Sequence, residues 1–351
     1  MLEHGGRLCE AAARYGIPIE DWLDLSTGIN PEGWPVPPLP ASCWSRLPED
    51  QDGLEAVART YYGTEHVLPV AGSQAAIQAL PRLRPPCRVA VPDPGYGEHA
   101  KAWRGAGHEI ASVPAAGWGD AARQADVLVI IHPNNPTGQR FRPETLLEWH
   151  RRLAPRDGWL VIDEAFIDPS PAASLAGFVP RPGLIVLRSL GKFFGLAGAR
   201  VGFVLAEPTW LQRLRDHLGP WTLSGPSRWV AARALADRRW LEAARARLKQ
   251  RSARLAALLE HHDLAPAGGC GLFQWTPAPR AAALHEALAR GGILTRLFAQ
   301  PPSLRLGLPG GDAHWARLEE ALADIDRKGR PRLLAESIPG RQIGSKDAHL
   351  P

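Results

Sequence analysis

Residues 126–138 read Asp-Val-Leu-Val-Ile-Ile-His-Pro-Asn-Asn-Pro-Thr-Gly, an aliphatic, β-branched run that breaks into a polar turn. A run this short and this apolar predicts a strand covered on both faces, and the Asn-Pro-Thr-Gly after it cannot continue the strand. The same construction recurs downstream. Residues 159–162 run into Asp163-Glu164-Ala165-Phe166, and residues 184–187 run into Ser189-Leu190-Gly191-Lys192, with Arg200 shortly after. Further strand-like runs at 67–70, 88–91 and 201–205 alternate with helical patterns at 54–62, 73–80, 97–106 and 143–153. This alternation predicts an α/β fold built on a mostly parallel sheet, in which ligands collect at the carboxyl ends of the strands. The polar clusters then fall along one edge of one sheet.

Beyond residue 207 the pattern changes. A long basic helix is expected over about 239–261, strands at 272–275 and 304–308, and helices at 281–290 and 312–326, which together make a smaller α+β domain. The expected organisation is an N-terminal arm over 1–45 packing with the small domain, a large domain over 46–215 and the small domain over 216–328. A tail over 329–351 carries Arg, Lys, Pro and Gly without periodicity and is expected to be disordered.

Composition narrows the function classes. A chain of 351 residues is long enough for two domains, and 45% apolar with 22% charged residues is an ordinary globular balance rather than a disordered or fibrous one. No apolar run reaches the roughly 18 residues of a membrane span. The start, Met1-Leu2-Glu3-His4, lacks a basic stretch followed by an apolar signal core, so a cytoplasmic protein is expected. The formal charge of +5 invites a nucleic-acid reading, and the densest basic stretch is 238–254. That stretch also places Leu241, Ala244, Leu248, Leu255, Leu258 and Leu259 at helical spacings, so it reads as a solvated helix face over an apolar stripe and no nucleic-acid partner is expected. Modest positive charge equally suits anionic ligands. Cys9, Cys43, Cys87 and Cys270 are far apart and have no metal-ligand spacing, so reduced thiols and no metal are expected.

Each polar cluster has an ordinary explanation alone: a turn, a helix cap, a solvated lysine. In combination, the order Asn-Pro-Thr-Gly, Asp-x-Ala-aromatic, Ser-x-x-Lys and Arg resembles the fold-type-I pyridoxal 5′-phosphate enzymes, particularly the histidinol-phosphate aminotransferase group, over about residues 4–326. Serine acylases share Ser-x-x-Lys, but their Ser-Asp-Asn and Lys-Thr-Gly are missing here. The resemblance implies that Lys192 carries the cofactor and that Asp163 keeps its ring nitrogen protonated. By the same resemblance Asn135 donates to the ring's O3′ and Tyr96 stacks on its face. Gly72, Ser73 and Gln74, where a strand turns into a helix, with Ser189 and Arg200, are the implied phosphate ligands.

The ends of the chain are similar to the threonine-phosphate decarboxylases of cobalamin biosynthesis. His4-Gly5-Gly6, then Asp24-Leu25-Ser26-Thr27-Gly28-Ile29-Asn30-Pro31 and Asp163-Glu164-Ala165-Phe166-Ile167-Asp168 carry that similarity. It implies a small phosphorylated amino acid as substrate, bound by His4, Gly5, Gly28, Asn135, Arg296 and Arg305, and a homodimer. Three positions are worth marking. Phe166 stands where the aminotransferases usually have Tyr, Gly28 where the decarboxylases commonly have Asn, and Leu47-Pro48 where an aromatic-proline pair reaches the neighbouring subunit. These suit either a branch of the family or an altered activity. An aminotransferase acting on histidinol phosphate, which shares every cofactor residue, and a fold retained only for binding are the alternatives.

Overall fold

The computed structural model describes residues 4–327, so the expected tail lies outside it. Seven strands form the large sheet, in the order Val67–Val70, Gly202–Leu205, Leu184–Ser189, Trp159–Asp163, Val127–Ile131, Arg88–Pro92, Glu109–Val113. Only Gly202–Leu205 runs antiparallel to its neighbours. The expected α/β class with a mostly parallel sheet is borne out.

The central strands are buried on both faces because their successive residues enter two different cores. Leu128, Ile130, Leu160, Ile162, Leu184 and Val186 pack in one, with Leu54, Ala58, Leu146 and Leu153 of the covering helices Leu54–Tyr62 and Pro143–Leu153. Val127, Val129, Trp159, Val161, Ile185 and Leu187 pack in the other, with Ile77, Trp103 and Leu214. Continuous aliphatic runs are what a sheet sandwiched between helices requires.

A second sheet of four antiparallel strands follows the order Arg296–Phe298, Ser303–Gly307, Phe273–Pro277, Gly268–Cys270. Near the chain start, Leu23–Asp24 pairs in parallel with Ile293–Leu294. The turn after Val127–Ile131 touches this smaller sheet at Gly138, where a Cβ would lie 2.2 Å from the Gly269 oxygen, so only glycine fits. The long helix Arg238–His261 buries Leu241, Ala244, Leu248, Leu255 and Leu259. Three of its arginines are engaged within the chain: Arg247 with Glu32 at 3.2 Å, Arg251 with the same carboxylate, and Arg254 with Glu319 at 2.9 Å. Among the described residues, no helix is long and apolar enough to cross a membrane.

Candidate active site

Register brings the polar clusters together. Ile131 lies beside Asp163 and Asp163 beside Leu187 across parallel strands, so the segments after them emerge side by side. Reversal of Gly202–Leu205 makes that strand start where its neighbours end, with Gly202 paired to both Val70 and Ser189. Arg200, just before it, therefore reaches the same edge.

Asp163 is 4% exposed, and both its oxygens are occupied. Oδ1 accepts the Ala165 N–H at 3.1 Å, and Oδ2 lies 2.9 Å from His99 Nε2, also buried, on the helix Gly97–Gly105. Lys192 Nζ donates to the Thr27 carbonyl at 3.2 Å and lies 5.4 Å from the Phe166 ring centre. It forms no ion pair among the described residues. Burial, reinforced by the Arg305 guanidinium and to a lesser degree Arg200, lowers its pKa to about 8. An amine held this way is available as a nucleophile near neutrality.

A second group sits where Val67–Val70 passes into the helix Ser73–Ala79. Gly72 has φ of +72°, and a Cβ there would come within 2.8 Å of an Arg200 guanidinium nitrogen, so glycine lets the cation close on the turn. Ser189 Oγ accepts the Gly191 N–H at 3.2 Å. Tyr96 donates its hydroxyl to Gln74 Oε1 at 3.1 Å, and burial, with Asp163 and Glu98 nearby, pushes its pKa up to about 12, so it remains a phenol.

A cavity of about 360 Å³ opens beside these groups, walled by Lys192, Tyr96, Asn135, Arg296 and Arg305, with His4 and Gly5 from the arm. Arg305 is 4% exposed. It donates to Asn135 Oδ1 at 2.6 Å and to the Ser26 carbonyl, and it lies over Phe273. Its Nε is buried without a partner. Burial, then the charge of Arg296, lowers its pKa to about 10. Arg296 stands directly across the antiparallel pair from Arg305, an arrangement of like charges that favours an anion nearby.

Of the residues expected at the site, His4, Gly5, Tyr96, Asn135, Lys192, Arg296 and Arg305 thus share one cavity. Gly28 does not line the cavity: at φ of +62° a Cβ there would lie 3.2 Å from Phe166 and 3.3 Å from Phe273. A side chain at this position would have to displace the two rings by a few tenths of an ångström, and the adjacent Thr27 lines the wall. His99 and Glu98 were not legible beforehand. Both lie on an amphipathic helix whose sequence announces only a helix, and their partners are distant in the chain.

The family model described as aminotransferase class I and II matches residues 51–325. A threonine-phosphate decarboxylase of Pseudomonas aeruginosa is 59% identical over 322 residues, covering 92% of this chain and 97% of the relative. Another, from a Sinorhizobium species, is 44% identical over 333 residues, 93% of this chain and 98% of the relative. A histidinol-phosphate aminotransferase of Sinorhizobium meliloti, solved with pyridoxal 5′-phosphate, superposes with a TM-score of 0.79. It covers 93% of this chain and 99% of its own at 20% identity, a likeness of fold.

Proposed function

The chain belongs to the aminotransferase class I and II family, and on that footing we propose a cytoplasmic pyridoxal 5′-phosphate lyase. It decarboxylates O-phospho-L-threonine to (R)-1-amino-2-propanol O-phosphate, a step of cobalamin biosynthesis.

The donor set fits the cofactor. Lys192 offers an amine with a lowered pKa, and Asp163 offers a buried carboxylate for the ring nitrogen. Asn135 has its amide oxygen held by Arg305, which leaves its NH2 for the ring's phenolate oxygen. Tyr96 lines the cavity wall where the ring's face would stack. Gly72, Ser73, Gln74, Ser189 and Arg200 would hold the phosphate, with Arg200 closed onto Gly72. When bound, this group withdraws electrons from the substrate's Cα and lowers the barrier to breaking a bond there.

The observation that carries the reading is the charge of the cavity. His4, Lys192, Arg296 and Arg305 line it, and among the described residues no carboxylate does. A buried guanidinium such as Arg305 calls for an anion, and a phosphorylated amino acid brings two. Gripping the substrate by its phosphate leaves the carboxylate free to be turned out for cleavage. The bond from Cα to the carboxylate carbon breaks, its electron pair stays on Cα and CO2 leaves; Lys192, as its ammonium form, can then give a proton to Cα and become the neutral amine.

A homodimer belongs to the same reading. Trp44, Leu47 and Trp221 are 72%, 66% and 61% exposed, an unusual apolar display that a second copy would cover. Sedimentation of the purified protein tests the dimer. The reaction is tested by incubating the cofactor-loaded enzyme with O-phospho-L-threonine. CO2 and the phosphorylated amine are expected in equal amounts, and absence of both overturns the assignment.

A further inference from the structure

Glu98 is a buried acid to which the chemistry above gives no part. It lies at the start of the helix Gly97–Gly105, and its side chain is 9% exposed. Its two oxygens face different structures. Oε1 is 2.9 Å from His4 Nε2 and 3.8 Å from Lys101 Nζ. Oε2 accepts from Gln78 at 3.3 Å and Gln74 at 3.4 Å. One oxygen therefore addresses the N-terminal arm, and the other the Gln74–Tyr96 wall.

We propose that Glu98 is a positioning residue for the substrate phosphate: it latches the arm through His4 and so presents that imidazole to the anion. The inference rests on the phosphorylated-substrate reading.

Three observations carry it. His4 is on the arm, and its ring is 40% exposed yet lines the same cavity as Arg296 and Arg305. The hydrogen bond that fixes this ring is the one to Glu98, and the ring also packs 5.9 Å from Tyr96. With Nε2 on the carboxylate, only Nδ1 remains for a phosphate, and bridging both anions requires hydrogen on both nitrogens. The arm keeps other holds, among them the Gly6 N–H on Ser26 Oγ at 2.7 Å, the Tyr15 hydroxyl on Glu286 at 2.7 Å and the pairing of Leu23–Asp24 with Ile293–Leu294, so loosening Glu98 releases the ring without unfolding the arm. A carboxylate this buried is tolerated because donors surround it.

The test uses the full chain loaded with cofactor and compares Glu98→Gln, His4→Ala and the double variant. Three quantities are read: the Kd for O-phospho-L-threonine, the affinity for pyridoxal 5′-phosphate, and the rate of tryptic cleavage after Arg7. Glu98→Gln should raise the substrate Kd about tenfold, the loss of one charge-assisted hydrogen bond. Cofactor affinity should stay within about twofold, cleavage should accelerate, and the double variant should be no worse than His4→Ala alone. Additive losses, a parallel loss of cofactor affinity, or unchanged cleavage in Glu98→Gln would each overturn the latch. If the wild type fails to bind O-phospho-L-threonine, the phosphorylated-substrate reading falls, while cleavage in Glu98→Gln still decides whether Glu98 holds the arm.

Discussion

Arg305 donates to the side-chain oxygen of Asn135 at 2.6 Å, joining the strand Ser303–Gly307 of the small sheet to the turn that ends Val127–Ile131 in the large one. The same guanidinium holds the Ser26 carbonyl, so three separate segments meet on one buried cation. Replacing Arg305 or Arg296 with Ala should lower kcat/KM by about 2 to 4 kcal/mol, through a lost charge-assisted contact and misplacement of the reacting group. The absorbance of bound cofactor should barely change in Arg296→Ala, whereas Arg305→Ala also frees the Asn135 amide and should shift it while leaving the cofactor bound. Steady-state kinetics on both variants check this, and loss of cofactor in either would move that arginine out of the substrate role.

Asp163→Asn should retain cofactor but lose roughly a thousandfold or more in turnover, since an amide cannot keep the ring nitrogen protonated. His99→Phe leaves the carboxylate in place and removes one of its two hydrogen bonds, for which a loss of about tenfold is expected. Turnover measured at saturating cofactor separates the two. Near-wild-type activity in Asp163→Asn would remove that residue from its assignment.

The Lys192 amine, with its pKa lowered to about 8, should be half neutral at that pH in cofactor-free protein. The neutral amine is the nucleophile, so capture of pyridoxal 5′-phosphate should speed up as pH rises through about 8 and then level off. Arg305→Ala removes a cation that disfavours the ammonium form, and the midpoint should therefore move upward. Stopped-flow capture rates across pH measure it. Borohydride reduction should then fix a pyridoxyl group on Lys192, and recovery on any other lysine would sink the assignment.

Phe166 packs edge-on against Phe273 at 5.1 Å, within reach of Lys192 Nζ. Phe166→Tyr adds a hydroxyl that, directed at the cofactor's phenolate oxygen, stabilises the anion without help from the nitrogen proton. The pH at which bound cofactor changes its visible absorbance should fall. A raised or unchanged midpoint in spectrophotometric titration shows that residue 166 faces elsewhere.

Much of the large sheet could be read in advance because its strands are apolar on both faces and end in residues a core would reject. The strand Glu109–Val113 escaped that reading, since it is an edge strand whose exposed and half-buried residues, Glu109 to Ser112, carry no aliphatic run. Asp163, Lys192, Asn135 and Arg200 were legible as chain-order motifs at strand ends. The pairing of His99 with Asp163, and of Glu98 with His4, was not: a helix sequence does not disclose which distant side chain will meet it. Gly28 was legible as a departure from the asparagine common in the decarboxylases, but its close packing against Phe166 and Phe273 was not.

The central claim is that the cationic cavity directs cleavage to the bond between Cα and the carboxylate of a phosphorylated amino acid. The most direct test measures CO2 release and amino-group transfer to a keto acid in parallel, with O-phospho-L-threonine and with histidinol phosphate. The account predicts CO2 release confined to O-phospho-L-threonine, with little transfer from either compound. Transfer from histidinol phosphate without CO2 release from O-phospho-L-threonine would contradict it.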